Sequence, residues 1–172
     1  RLRDEQAGRF GFAYEAGAFY FHAPLLFGFG GRIFDDDGSP VLDADENARS
    51  LEFARDLTER GLIPEEPTSA LVTQLFNEGN AACVVNGPWF LGEISKDVRY
   101  GIAPLPTVSE TGLDAAPLLT VEAAIISAHA RNPEGAIALA RYLALGDGAR
   151  YRLDEASQLV ADSHVVEQAG AA

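Results

Sequence analysis

Aromatic side chains are the residues in this sequence whose types and spacing could do chemistry. Six of them fall between positions 14 and 29, and the single tryptophan follows an Asn-Gly-Pro turn: Tyr14, Phe19, Tyr20, Phe21, Phe27, Phe29 and Trp89. Flat aromatic faces can stack on the apolar face of a sugar ring while nearby carboxylates and amides bind its hydroxyls. Core packing is the competing interpretation, and it is favoured for Phe27 and Phe29. Trp89 is predicted to face a cleft because it directly follows a strand-breaking turn.

A lone carboxylate, Glu122, lies inside the apolar run Leu118–Ser127. Burying a bare charge is expensive, so this side chain must be paired, hydrogen-bonded or directed into a cleft. The three alternatives stay open on sequence grounds.

The sequence contains no complete motif for metal binding or catalysis. Asp35, Asp37 and Gly38 resemble the middle of a calcium loop, but Ile33 and Ala44 would occupy its first and twelfth ligand positions. The histidines have no partner at metal-ligand spacing, and no Gly-x-Ser-x-Gly elbow or phosphate-binding loop occurs. Nothing indicates the two cleft-facing carboxylates of a glycosidase. We therefore expect no enzyme, no bound metal and no cofactor.

The composition is acidic, with 13 Lys and Arg against 26 Asp and Glu in 172 residues and a net charge of −13. No basic run is present, which argues against nucleic acid or an anionic membrane surface as a partner. No apolar run approaches the length of a membrane span, and no signal segment opens the chain. Met is absent even at position 1, so the chain is expected to be part of a longer protein. The single Cys83, between alanines and valines, predicts a buried strand thiol.

Apolar periodicity and end signals predict a series of helices. Asp45 is the expected N-cap of the second helix, and Asn132 followed by Pro133 opens a later one. The predicted helices are Ala16–Phe29 interrupted by Pro24, Asp45–Gly61, Ser69–Gly79, a short turn at Trp89–Ser95, Pro133–Leu145, a helix starting near Asp147, and a fraying end at Val165–Ala172.

Strands are predicted between these helices. Asp37-Gly38 is a strong hairpin signal, and the polar, Pro-flanked loop Thr107–Pro117 is the best candidate for a lobe boundary. Strands alternating with helices predict an α/β layered fold with mixed strand directions. The predicted strands are Phe10–Tyr14, the hairpin arms Arg32–Phe34 and Pro40–Leu42, Ala81–Val85, Val98–Leu105 and Leu118–Ser127.

Four segments occur in the order and spacing of bacterial maltose/maltodextrin-binding proteins, the family 1 extracellular solute-binding receptors of ABC importers. They are Phe19–Gly31 (FYFHAPLLFGFGG), Phe76–Gly79 (FNEG), Val85–Trp89 (VNGPW) and Tyr100–Pro106 (YGIAPLP). The resemblance covers nearly the whole chain. In that family two α/β lobes close on a sugar, so the resemblance implies a periplasmic-binding-protein-like α/β fold. Residues 1–103 would form most of the C-lobe, and residues 104–172 a hinge crossing and a segment of the N-lobe.

The resemblance also implies a binding site. Tyr20 and Trp89 correspond to residues that stack on glucose units, and the candidate ligand-binding set is Tyr20, Trp89, Phe19, Glu15 and Glu122. Ala18 stands where maltose binders carry a carboxylate, and Ser69 where an aromatic contact is often found. The family's first N-lobe and last C-lobe segments are not in this sequence. We therefore expect the segment alone to bind maltose or maltotriose far more weakly than roughly micromolar.

The function that the resemblance implies is binding of a maltodextrin-type sugar for a bacterial ABC importer, in the periplasm or otherwise outside the cytoplasm. Its partners would be the sugar and the importer's membrane subunits, and the chain itself would not span the membrane. The alternative is a binding-protein-derived extracytoplasmic domain of a permease subunit, used for protein contacts without sugar binding. Membrane-spanning segments flanking this piece in the parent gene would distinguish the two.

Overall fold

The computed structural model describes residues 8–170, which divide into two compact units. The first unit runs up to Asn86 and includes Ile94–Leu119. The second comprises Gly87–Glu93 and the described residues from Thr120 onward. The assignment of 1–103 to one lobe and 104–172 to a crossing and a second lobe stays a prediction.

Three helices build the first unit: α1 (Phe19–Gly28), α2 (Asp45–Glu59) and α3 (Ser69–Asn77). The sequence predicts all three, but the expected interruption of α1 is wrong, because the helix continues through Pro24. A proline removes one intrahelical hydrogen bond, a local loss that the surrounding packing can offset. The N-cap of α2 is Ala44 instead of Asp45, whose carboxylate lies in the first turn, where the helix dipole stabilises it.

One face of α2 packs against α1. Its buried residues Asn47, Ser50 and Ala54 are spaced three and four apart, so they lie on a single stripe of the helix. Phe29, just after α1, meets Phe53 of α2 with ring centroids 5.4 Å apart. The α1–α2 pair is therefore joined by both polar and aromatic contacts.

Two parallel pairings join the segment before α1 to the segment after α3, where the sequence predicts strands. Phe10 pairs with Ala81 and Ala13 with Val84, over a small core completed by Val72 and Leu75. The buried-thiol prediction is wrong, because Cys83 is exposed. Ala81 and Val84 both pack on the core although they are three apart, so the regular alternation of a strand is broken and Cys83 falls outside the core.

The predicted hairpin is confirmed as a tight antiparallel turn. Phe34 pairs with Pro40, and the Asp35 carboxylate accepts hydrogen bonds from the backbone N–H groups of Asp37 (3.0 Å) and Ser39 (2.8 Å). Gly38 has φ +81°, a left-handed conformation that glycine adopts without steric cost.

The polar segment Thr107–Pro117 packs on the end of α1. Thr111 Oγ1 donates to the Gly28 carbonyl at 2.6 Å, and Val108 and Ala115 are buried. This segment belongs to the first unit, whose boundary falls beyond it, between Leu119 and Thr120.

The second unit contains a 3-10 helix (Pro88–Glu93) and three α-helices: α4 (Pro133–Ala144), α5 (Gly146–Ala156) and α6 (Ser163–Gly170). Asn132 caps α4 as predicted, accepting from the Gly135 N–H at 3.0 Å. Helix α5 packs against α4 and α6. Helix α6 continues to Gly170, the last described residue, so the fraying expected for Val165–Ala172 stays a prediction.

None of the predicted strands forms a regular strand within residues 8–170: Phe10–Tyr14, Ala81–Val85 and the hairpin arms make only isolated bridge pairs. Val98–Leu105 and Leu118–Ser127 make no bridge pair, and most of the second segment is exposed, with Leu119 94% and Ile125 91% exposed. A strand needs a neighbour for its backbone groups, which the described residues do not supply here.

Candidate functional site

The first turn of α1 presents two aromatic side chains. Phe19 is 48% exposed, and the half-buried Tyr20 meets Phe21 edge-on with ring centroids 5.5 Å apart. The remainder of α1 is held inward by buried His22 and Leu26. The helix thus combines a buried body with an aromatic, partly exposed end.

Beneath this end lies a buried polar group that the sequence analysis missed. The His22 ring contacts the Tyr14 hydroxyl and the Ser50 hydroxyl, and all three side chains are buried. Burial lowers the pKa of His22 and raises the pKa of Tyr14 to about 12. The available signal was a histidine inside an otherwise apolar stretch, but its partners are 8 and 28 residues away.

Glu15 precedes α1 and accepts a hydrogen bond from the Ser69 hydroxyl at the start of α3. Beside this pair is an open surface pocket of about 480 Å³. The side chains and backbone of two chain segments and of α2 line it: Ala16, Gly17, Leu51, Ala54, Arg55, Thr58, Glu65, Glu66, Pro67 and Thr68. Tyr20 and Phe19 are not part of this lining, so the pocket neighbours the aromatic end of α1 without including it.

Trp89 lies in the 3-10 helix of the second unit and is 41% exposed, whereas its neighbour Phe90 is only 5% exposed. Trp89 is therefore not a core residue. Glu122, also in the second unit, is exposed, and solvation removes the need for a buried partner.

The structure thus keeps Glu15, Phe19 and Tyr20 in one short stretch of the first unit and places Trp89 and Glu122 in the second. Their joint role as one ligand-binding set stays a prediction. Across residues 8–170, no three His, Cys, Asp or Glu side chains group as metal ligands. Nor does any helix in that range have the length and apolar character needed to cross a bilayer.

Comparison with known proteins identifies the class of protein to which the chain belongs. The sequence model of the bacterial extracellular solute-binding protein family matches residues 4–149. A galactooligosaccharide-binding protein of Bacillus subtilis (strain 168) is 30% identical over 166 residues, which is 89% of this chain and 39% of the relative.

Solved structures agree with the sequence match. The chain superimposes on a Thermus thermophilus maltotriose-binding protein bound with maltotriose with a TM-score of 0.84 at 26% identity, covering 98% of this chain and 47% of that one. The maltose/maltodextrin-binding domain MalE from Bdellovibrio bacteriovorus bound to maltotriose gives 0.82 at 26% identity, covering 96% and 46%.

The chain belongs to the bacterial extracellular solute-binding protein family and has a periplasmic-binding-protein-like fold. It spans less than half the length of these relatives. The family and its relatives are solute-binding proteins and not enzymes, in agreement with the prediction that the chain is not an enzyme.

Proposed function

We propose that this chain contributes part of the carbohydrate-recognition surface of an ABC importer's receptor outside the cytoplasm, and that its ligand is a maltodextrin-type sugar. The importer's membrane subunits would be its protein partners. The observation that carries the proposal is the aromatic end of α1, where Phe19 is exposed and Tyr20 half-buried on a helix that is otherwise largely buried.

The chemistry of the candidate residues supports a carbohydrate ligand. Aromatic faces bind the apolar side of a pyranose, and Trp89 in the second unit is a further, partly exposed ring. Glu15 and Ser69 supply a carboxylate and a hydroxyl for sugar hydroxyls. Relatives that bind maltotriose or galactooligosaccharides support the same ligand class.

Titration of the chain with maltotriose, followed by calorimetry or by NMR of the aromatic side chains, tests the proposal. Tyr20→Ala and Trp89→Ala should each weaken binding roughly three- to tenfold, the range expected for one lost ring contact. Tyr142→Ala, an exposed tyrosine on α4, is the matched control and should leave the affinity unchanged. Equal affinity in all three variants would exclude Tyr20 and Trp89 from the binding site. No binding at any maltotriose concentration would rule out this sugar as a ligand of the chain.

A protein-contact domain of a permease subunit is the second candidate, favoured by one observation. None of the residues of α4 is buried, and its large apolar side chains are exposed: Ile137, Leu139, Tyr142 and Leu143. An apolar surface of this kind is typical of a protein interface. The parent gene decides the question, since membrane-spanning helices flanking this segment would favour the permease domain over a free receptor.

A further inference from the structure

His22 is the centre of a buried hydrogen-bonded chain that links three parts of the first unit. Its Nε2 lies 3.1 Å from Ser50 Oγ on α2, and its Nδ1 lies 3.5 Å from the Tyr14 hydroxyl in the segment before α1. The histidine is 2% exposed, and Tyr14 and Ser50 are at least as buried. This series of hydrogen-bonded side chains therefore lies out of reach of bulk water.

The hydrogen-bond partners favour one tautomer of the imidazole. Ser50 Oγ lies 2.7 Å from the Asn47 carbonyl, and when its proton is donated there, it accepts from His22. The favoured tautomer therefore carries a proton on Nε2. The Tyr14 hydroxyl can donate to an unprotonated Nδ1, which completes a neutral ring with both nitrogens used.

The first turn of α1 has no side-chain cap at its N-terminus. Its N-cap, Ala18, makes no side-chain hydrogen bond, and no acidic residue lies in the first turn to interact with the helix dipole. His22 is in this turn, two positions after Tyr20. Its ring thus makes a buried polar contact between the first turn of α1 and α2.

Adding a proton to the ring would place a positive charge in this buried arrangement. Protonated Nδ1 would donate to the Tyr14 hydroxyl oxygen, so both ring nitrogens would keep a partner and the cost would lie in the buried charge. The groups that face the ring are the neutral hydroxyls of Tyr14 and Ser50, and within residues 8–170 no carboxylate hydrogen-bonds or ion-pairs with it. A buried imidazolium would have no counter-charge to stabilise it.

We propose that His22, in its neutral Nε2–H form, is a positioning residue that fixes the first turn of α1, and with it Phe19 and Tyr20, on α2, and that protonation of the ring releases this turn. The consequence for ligand binding rests on the proposed sugar-binding function. The structural part does not.

The sign of the pH effect follows from burial, which lowers the pKa of His22 below 6.5. Between that lowered pKa and 6.5 the unfolded chain binds more protons at this position than the folded chain does. The contribution of His22 to stability is therefore complete above about pH 6.5 and is lost as the pH falls through the folded-state pKa.

Nitrogen-15 NMR of the imidazole and amide hydrogen exchange test the positioning role without any ligand. We expect the Nε2–H tautomer at neutral pH. The Phe21 and His22 amides, which bond to the Ala18 carbonyl at 3.0 and 3.1 Å, should lose about fivefold in protection below pH 6.5, after correction for intrinsic rates. An Nδ1–H tautomer, or protection that is independent of pH, would overturn the proposal.

His22→Gln is the conservative variant, since its amide nitrogen can donate to Ser50 while the side chain does not titrate. It should keep neutral-pH protection of these amides and lose the pH dependence. Ser50→Ala should reduce protection at all pH values because it removes the acceptor for Nε2–H. If His22→Gln retains the full pH dependence, His22 is not the group responsible.

Maltotriose titrations at pH 7.5 and below pH 6.5 then connect the turn to the ligand. Wild-type affinity should fall roughly fivefold at the lower pH, and His22→Gln affinity should not. If wild type binds no maltotriose at either pH, the proposed function fails, and the tautomer and exchange results still decide the positioning role. Binding that responds equally to pH in both proteins would contradict the link between His22 and the aromatic end.

Discussion

The six-membered ring of the Trp89 indole lies directly against the Cα of Gly87, two residues earlier in the chain. A Cβ added to Gly87 would overlap three carbons of that ring. Gly87 therefore allows the indole to fold back onto the turn that precedes the 3-10 helix, and a larger residue at position 87 cannot coexist with this orientation of Trp89.

Gly87→Ala should displace the indole and cost about 1–3 kcal/mol of stability, as overpacking does at other close contacts. The emission of Trp89, the single tryptophan, should change with it. Gly101→Ala is the control, because a Cβ there meets nothing within 4 Å, and its cost should stay within about 0.5 kcal/mol. Equal denaturation curves and spectra for Gly87→Ala and wild type would contradict the contact.

Trp89→Ala should cost about 1 kcal/mol or less, because the indole is partly exposed. Phe90→Ala, the adjacent buried aromatic, should cost about 3–5 kcal/mol. Both values come from urea titrations with the denaturant slope checked for two-state unfolding. A loss in the core range for Trp89→Ala would remove Trp89 from the candidate ligand-binding residues.

Asn47→Ala should cost roughly 3 kcal/mol, because this buried amide donates to the carbonyls of Arg32 and Val41 at 2.9 Å each and accepts from the Arg32 N–H at 3.0 Å. These bonds tie the hairpin to α2. Asn132→Ala, which removes an exposed helix cap, should cost about 1 kcal/mol. Thermal unfolding of the two variants side by side measures both losses of stability. Equal losses would show that the hairpin is not held through Asn47.

The stability of the fold at alkaline pH should depend on ionisation of the buried Tyr14 phenol. Burial raises its pKa to about 12, so between pH 10 and that value the unfolded chain releases a proton that the folded chain retains. Stability is then complete below pH 10 and falls by roughly 2–3 kcal/mol as the pH rises to about 12. Tyr14→Phe should remove this part of the decline, while Tyr151→Phe, at an exposed position, should leave it in place. An unchanged alkaline slope in Tyr14→Phe would argue against a buried phenol.

Maltose and maltotriose should bind the isolated chain far more weakly than the roughly micromolar affinity of a working receptor. The chain spans 46–47% of the solved relatives, and enclosure by the whole groove supplies much of a ligand's affinity. Calorimetry measures this directly. A saturable isotherm at low micromolar sugar would show that the described surface is sufficient.

Local sequence signals predicted most of the helices and the hairpin because their causes are local. Asn132 caps α4 through an N–H three residues away, and Gly38 closes a turn within five residues. The same logic failed for Val98–Leu105 and Leu118–Ser127, since a strand needs a partner from another part of the sequence and the described residues provide none.

The candidate site divides in the same way. Sequence and resemblance singled out Tyr20, Trp89, Phe19, Glu15 and Glu122, and the exposure of Trp89 agrees with a residue outside the core. They gave no indication of the contact between Glu15 and Ser69, 54 residues apart. Nor did they indicate the chain from Tyr14 through His22 to Ser50.

By itself, the sequence determined the family, the order of helices and the absence of a catalytic motif, because motif spacing and helix periodicity are written in consecutive residues. Only the tertiary structure decided that Cys83 is exposed, that α1 continues through Pro24 and that the His22 ring is buried against Ser50 of α2. Burial and hydrogen-bond direction depend on which distant segments meet, and that is set by packing of the whole unit and not by any local pattern.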